Sequence, residues 1–125
     1  MDGNKNFTEL VIAYAIEVHR HLGPGLNESA YETALCIELT EAGVTFERQM
    51  SVPLYYKGQL IAEHRPDLIV QRAVVVEIKS VERIHPAHVS QLLTYLRVTK
   101  LTVGLLLNFN SAILKHGIRR VVLNA

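Results

Sequence analysis

Apolar residues first recur with a helical period over about residues 7–22, where Leu10, Tyr14, Val18 and Leu22 stand four apart and predict one helical face. Asn6 is placed to cap that helix, Glu9 falls at the capping-box position, and Gly23-Pro24-Gly25 ends it. A second helix is predicted over about residues 28–42, capped by Asn27, with Gly43 just past its end and Leu26 and Tyr31 at the staple positions around the cap. From Val44 onward the pattern turns to alternation and β-branched runs, which predicts strands over 44–49, 52–56, 59–64, 67–70 and 74–79, with Lys57-Gly58 as a hairpin turn. Pro86 suits the first position of a third helix, which Val89, Leu92, Leu93 and Leu96 carry to about residue 99. Two more strands are expected near 102–107 and 117–123. The order αα, strands, α, strands reads as an α/β fold, a mixed β-sheet flanked by helices.

Composition narrows the field. At 125 residues, residues 1–125 are expected to form a single domain with a core large enough to need no disulfide or structural zinc. Cys36 is the only cysteine, which excludes a disulfide framework and fits a buried core position. Thirteen Lys and Arg against twelve Asp and Glu leave a formal charge of +1, so no chain-wide basic field holds a polyanion. Any nucleic-acid contact must be local, and Arg83, Arg97, Lys100, Lys115, Arg119 and Arg120 are the residues available for it. The first residues lack the basic and apolar blocks of a signal peptide, and no apolar run approaches the roughly 18 residues of a membrane span, so a cytoplasmic location is expected.

The residues that carry chemistry lie in the middle strands, where Pro66-Asp67 is followed ten residues later by Glu77-Ile78-Lys79. Strand alternation puts Glu77 and Lys79 on one face and turns Ile78 to the other, into the core. Uncompensated charge at the ends of buried strands is costly, and a divalent cation such as Mg²⁺ or Mn²⁺, which prefers carboxylate oxygens, would compensate Asp67 and Glu77. Such an ion polarises a phosphodiester and lowers the pKa of an attacking water. On the third helix His88, Gln91 and Tyr95, at i, i+3 and i+7, share a polar side suited to phosphate or base contacts. At the start of the second helix, Gly25-x-x-Glu28-x-x-Tyr31 offers Glu28 as a further metal-binding acid, with Tyr31 as a substrate-side aromatic or as the apolar half of the staple.

These residues together resemble the GxxExxY proteins, a group assigned to the PD-(D/E)XK nuclease superfamily. The resemblance extends from Leu22-Gly23-Pro24-Gly25-Leu26 through Gln91-Leu92-Leu93-Thr94-Tyr95 to Gly117-Ile118-Arg119-Arg120-Val121. It implies that Asp67 and Glu77 are the two metal-binding acids, Lys79 the lysine that orients the attacking water, and Glu28 the acid of the first core helix. It matches Gln91 and Tyr95 to the Gln-x-x-x-Tyr signature of recombination-type nucleases.

Two functional classes follow: a metal-dependent nuclease acting on DNA or RNA, with DNA expected over RNA, and a non-catalytic binding or assembly module that keeps the fold. A small domain has little surface for both a cleft and a duplex footprint, so a homodimer is expected. The nuclease reading also makes a geometric demand. A two-residue Gln71-Arg72 turn would pair Asp67 with Val76 and put Glu77 on the wrong face, whereas a three-residue connection, Gln71-Arg72-Ala73, sets Asp67 opposite Glu77. Turn chemistry alone does not favour the longer connection, since it holds no glycine.

Overall fold

A computed structural model describes residues 3–124. Two helices lead, α1 (Gly3–Leu22) and α2 (Glu28–Glu41), followed by β1 (Phe46–Arg48), β2 (Val52–Tyr56), β3 (Gln59–His64), β4 (Leu68–Val70) and β5 (Val74–Lys79). The third helix α3 (Pro86–Thr99) precedes β6 (Val103–Asn108), a short 3-10 turn and β7 (Ile118–Val122). The strands β1-β4-β5-β6-β7 form one sheet in that order, in which only β5 and β6 run parallel, joined by the α3 crossover. This is the mixed sheet flanked by helices that the sequence pattern predicts. The pair β2-β3 stands apart as a two-stranded hairpin. Among the described residues no helix is long and apolar enough to cross a membrane.

Strand alternation divides the core in two. Leu68, Val70, Val74, Val76 and Ile78 face α1 and α2, where Val11, Ala15, Tyr31, Leu35 and Leu39 meet them. Ile69, Val75 and Leu106 face α3 and pack on Leu92, Tyr95 and Leu96. Gly104 of β6 lets α3 lie close: a Cβ there would come within 2.7 Å of Leu92 Cδ1. Cys36 is buried among the first set, as its composition-based reading requires.

Most local signals hold. Asn27 caps α2 by accepting from Ala30 N at 3.0 Å. Pro86 opens α3, and Lys57-Gly58 turn the hairpin with φ values of +49° and +78°. The start of the chain differs. Helix α1 begins at Gly3, so Asn6 lies inside it rather than capping it, and the Glu9 capping box goes with that cap. Its buried face is Val11, Ala15 and Val18, while Leu22 is exposed and Leu10 and Tyr14 only border the core. The reason is geometric: residues spaced by four advance about 40° more than a full turn at each step, so the stripe from Leu10 to Leu22 winds off the core.

Candidate functional site

The connection between β4 and β5 has three residues, Gln71, Arg72 and Ala73, with Gln71 and Arg72 both left-handed at φ +55° and +51°. Leu68 consequently pairs with Val76, and one further step in the same register brings Asp67 across from Glu77. The two acids are locked reciprocally. Asp67 N donates to Glu77 Oε2 at 2.7 Å, and Ile78 N donates to Asp67 Oδ2 at 2.8 Å. Both acids and Lys79 belong to the α3 side of the sheet, opposite Ile78, which is fully buried against the other two helices.

Burial dominates the electrostatics. Glu77 is 3% exposed, and its carboxyl is pushed up to about 8, first by desolvation and then by the charge of Asp67, against the pull of the Asp67 N–H and Lys79. The Asp67 carboxyl rises to about 6, again chiefly by burial, with the charge of Glu32 adding to it and the Ile78 and Gln49 donors opposing it. Both carboxyls are therefore held above the usual carboxylate range, and the pair resists carrying two negative charges. One buried and one half-buried carboxylate, donors with oxygen only, suit a hard divalent cation, which would offset their charge.

Lys79 lies within 3.9 Å of Glu77 Oε1 and donates through Nζ to Gln91 Oε1 at 3.4 Å. Gln91 Nε2 in turn donates to the Tyr95 hydroxyl at 3.0 Å. The i, i+4 pair on α3 thus forms a line of hydrogen bonds ending at the lysine. Tyr95 is nearly buried, and its hydroxyl is held above the usual tyrosine range by burial and by the charges of Glu77 and Asp67. His88 joins the helix start, where His85 N donates to His88 Nδ1 at 3.1 Å. Its imidazole is held below the usual histidine range by burial and by the charges of Lys79 and His85, against the opposing charge of Glu28.

Glu28 and Tyr31 behave differently from the sequence expectation. The Glu28 carboxylate is exposed and accepts from Ser80 N at 3.3 Å, just past Lys79. It stands at the end of the strand rather than between the two acids. Among the described residues no group of three His, Cys, Asp or Glu side chains is gathered into a metal shell, so the assembled unit is the Asp67–Glu77 pair. Tyr31 is fully buried and stacks on Phe109 at 4.5 Å between ring centroids. Its hydroxyl donates to Gly23 O at 2.5 Å and accepts from Leu26 N at 3.0 Å. It has no surface for a substrate; it ties the Gly23–Leu26 turn to the core, while Leu26 itself stays exposed and forms no staple. Tyr31→Phe is accordingly expected to lower stability by about 1–2 kcal/mol in chemical denaturation, since two backbone groups lose a partner, and to leave cation binding unchanged.

Sequence reasoning missed a second tier of residues. Glu32, one helical turn after Glu28 on α2, is buried and paired with Arg48, whose Nε donates to Glu32 Oε2 at 2.6 Å. Gln49 Nε2 donates both to Glu32 Oε1 at 3.1 Å and to Asp67 Oδ1 at 3.0 Å. The i+4 spacing from Glu28 was a signal for Glu32, since it places both acids on one side of the helix. Nothing local pointed to Gln49.

Two neighbouring clefts differ in kind. One beside the site is polar, lined by Val81, Glu82, Arg83, His85 and His88. The more apolar one, lined by Met50, Val52, Ile69, Val98 and Leu101, contains none of the candidate residues.

Comparison with known families gives a match over residues 5–121 to the family described as the PD-(D/E)XK nuclease superfamily. No curated protein and no solved structure matches the chain.

Proposed function

The chain belongs to the PD-(D/E)XK nuclease superfamily, and on that premise we propose that it is a divalent-metal-dependent nuclease of the GxxExxY group, hydrolysing phosphodiester bonds with Asp67, Glu77 and Lys79. The observation that carries this reading is the reciprocal lock between Asp67 and Glu77, which holds a half-buried carboxylate and a buried one face to face beside a lysine. A folding requirement alone would not place them there, because like charges opposed across a ladder are destabilising.

In this reading Asp67 and Glu77 would hold Mg²⁺ or Mn²⁺, with Glu28 at the margin of the site. When bound, such an ion would supply charge neutralisation at the phosphate and a lowered pKa for water. Lys79, oriented by Gln91, donates to the attacking water and steadies the charge that grows on the phosphate oxygens. Water oxygen bonds to phosphorus and gives up a proton to solvent, one P–O ester bond breaks, and the departing oxygen takes up a proton from solvent, so that the net transfer is from water to the leaving group. Tyr95 fixes Gln91 from behind, and His88, at the start of α3, would be the contact offered to the substrate strand.

The test is calorimetric titration of Mn²⁺ into the wild type and Asp67→Ala, followed by incubation with labelled DNA and RNA in both single- and double-stranded form. Binding by the wild type that is lost in Asp67→Ala, with metal-dependent cleavage of DNA ahead of RNA, is the expected result. Binding without cleavage of any of the four would transfer the chain to the class of non-catalytic modules. Light scattering of the same sample tests the homodimer that the size of the domain suggests, and a cytoplasmic site of action fits the nucleic-acid substrate.

A further inference from the structure

Gln49 occupies the bend by which the chain leaves β1 for the hairpin, and its backbone is left-handed at φ +55°. A bend of that kind selects glycine or asparagine, because other side chains crowd the backbone there at a cost of about 1 kcal/mol. Glutamine has neither advantage, and the position is exposed, so no core packing asks for its bulk. What glutamine adds is reach.

Its side-chain amide spans two carboxylates from different elements. One hydrogen bond goes to Asp67 Oδ1 at 3.0 Å and another to Glu32 Oε1 at 3.1 Å. Its backbone N donates to Asp67 O at 3.0 Å, so both its main chain and its side chain hold the same residue. The other oxygen of Asp67 accepts from Ile78 N at 2.8 Å. The Asp67 carboxylate is therefore fixed at both ends, from β5 on one side and from Gln49 on the other, and cannot turn about its last bond without breaking one contact. Glu32 cannot yield either, because Arg48 holds its second oxygen at 2.6 Å. Asparagine, one methylene shorter, would satisfy the bend and fall short of this span.

Resting on the metal-site reading above, we propose that Gln49 is a positioning residue: braced against Glu32, it sets the plane of the Asp67 carboxylate for the cation, and its unfavourable backbone conformation is retained for the sake of that side chain. Stability and metal affinity then separate on substitution. Gln49→Asn and Gln49→Gly, followed by thermal denaturation of the metal-free protein and by Mn²⁺ titration calorimetry, are expected to melt within a few degrees of the wild type, because the relieved backbone offsets part of the lost hydrogen bonds. Their Mn²⁺ dissociation constants are expected to rise about tenfold, the usual effect of removing an outer hydrogen bond to a metal ligand. Two variants are used because Gly removes the side chain whereas Asn keeps an amide of the wrong length. Loss of stability in both, in step with affinity, would make Gln49 an ordinary structural contact and overturn the proposal. Wild-type affinity in both, while Asp67→Ala still abolishes binding, would overturn it and leave the metal site standing. A wild type that takes up no Mn²⁺ would overturn the metal-site reading and this inference with it.

Discussion

Lys79→Met is expected to reduce phosphodiester cleavage by a factor on the order of 10²–10³, the range found when one preorganised donor is removed from a reacting centre. Methionine preserves the apolar stem of a side chain that is only 14% exposed, so the loss is chemical and not a matter of packing. Affinity for Mn²⁺ should stay the same or tighten, because a positive charge disappears from beside Glu77. That split, a fall in turnover without a fall in metal binding, separates Lys79 from the acids, whose removal should abolish both. A Met variant that cleaves at the wild-type rate would leave Lys79 only its contacts with Glu77 and Gln91.

The second large effect is an inverted dependence of stability on pH. Asp67 and Glu77 both bind protons more tightly in the folded chain than in the unfolded one, at about 6 and about 8 against ordinary values of 3.8 and 4.5. For groups raised in this way the folded state is favoured while they are protonated. Their contribution is greatest below the ordinary values and is lost as pH climbs to about 8. Metal-free protein should consequently melt lower at pH 8 than at pH 5.5, by on the order of 10 °C for a domain of this size. Mn²⁺ should restore most of that loss at pH 8 through ligand linkage. Glu77→Gln keeps an acceptor for the Asp67 N–H while deleting the charge. It should flatten the profile, melt above the metal-free wild type at pH 8 and no longer respond to Mn²⁺. Stability that rises between pH 5.5 and 8 in the metal-free wild type would mean that the two carboxylates are not in conflict.

Much of the arrangement was legible because alternation is a rigid code. Given a strand at 74–79, Glu77 and Lys79 had to share a face and Ile78 had to enter the core, and they do so. The three-residue connection was legible only through function. Gln71 and Arg72 carry no local preference for the left-handed backbone they adopt, and the register was expected only from the requirement that a shared cation would place on Asp67 and Glu77. Helix phase was harder, since a row of residues spaced by four looks straight in sequence and winds in space, which hid the true core face at Val11, Ala15 and Val18. Tyr31 was ambiguous for a different reason. A tyrosine after an acidic helix start suits either a ligand or a turn, and only its two hydroxyl contacts decide for the turn. Glu32 carried a signal in its i+4 spacing from Glu28, but Gln49 was out of reach because its meeting with Glu32 and Asp67 depends on three separate segments converging.

The detached β2-β3 hairpin has a topological consequence. It departs after β1 and returns before β4, and those two strands are themselves antiparallel neighbours in the main sheet. Its root, where Val52 pairs with His64, rests near α3 through contact of His64 with the Tyr95 ring, while Tyr55, Tyr56, Leu60 and Ile61 near its tip are more than half exposed. The excursion is thus a closed detour between two fixed points. Loop-closure entropy grows only with the logarithm of length, about 0.6 kcal/mol for each doubling. Chains built on this plan can lengthen, shorten or exchange the detour while the frame that sets Asp67 against Glu77 stays in register, so divergence in length should accumulate there before it touches the chemistry.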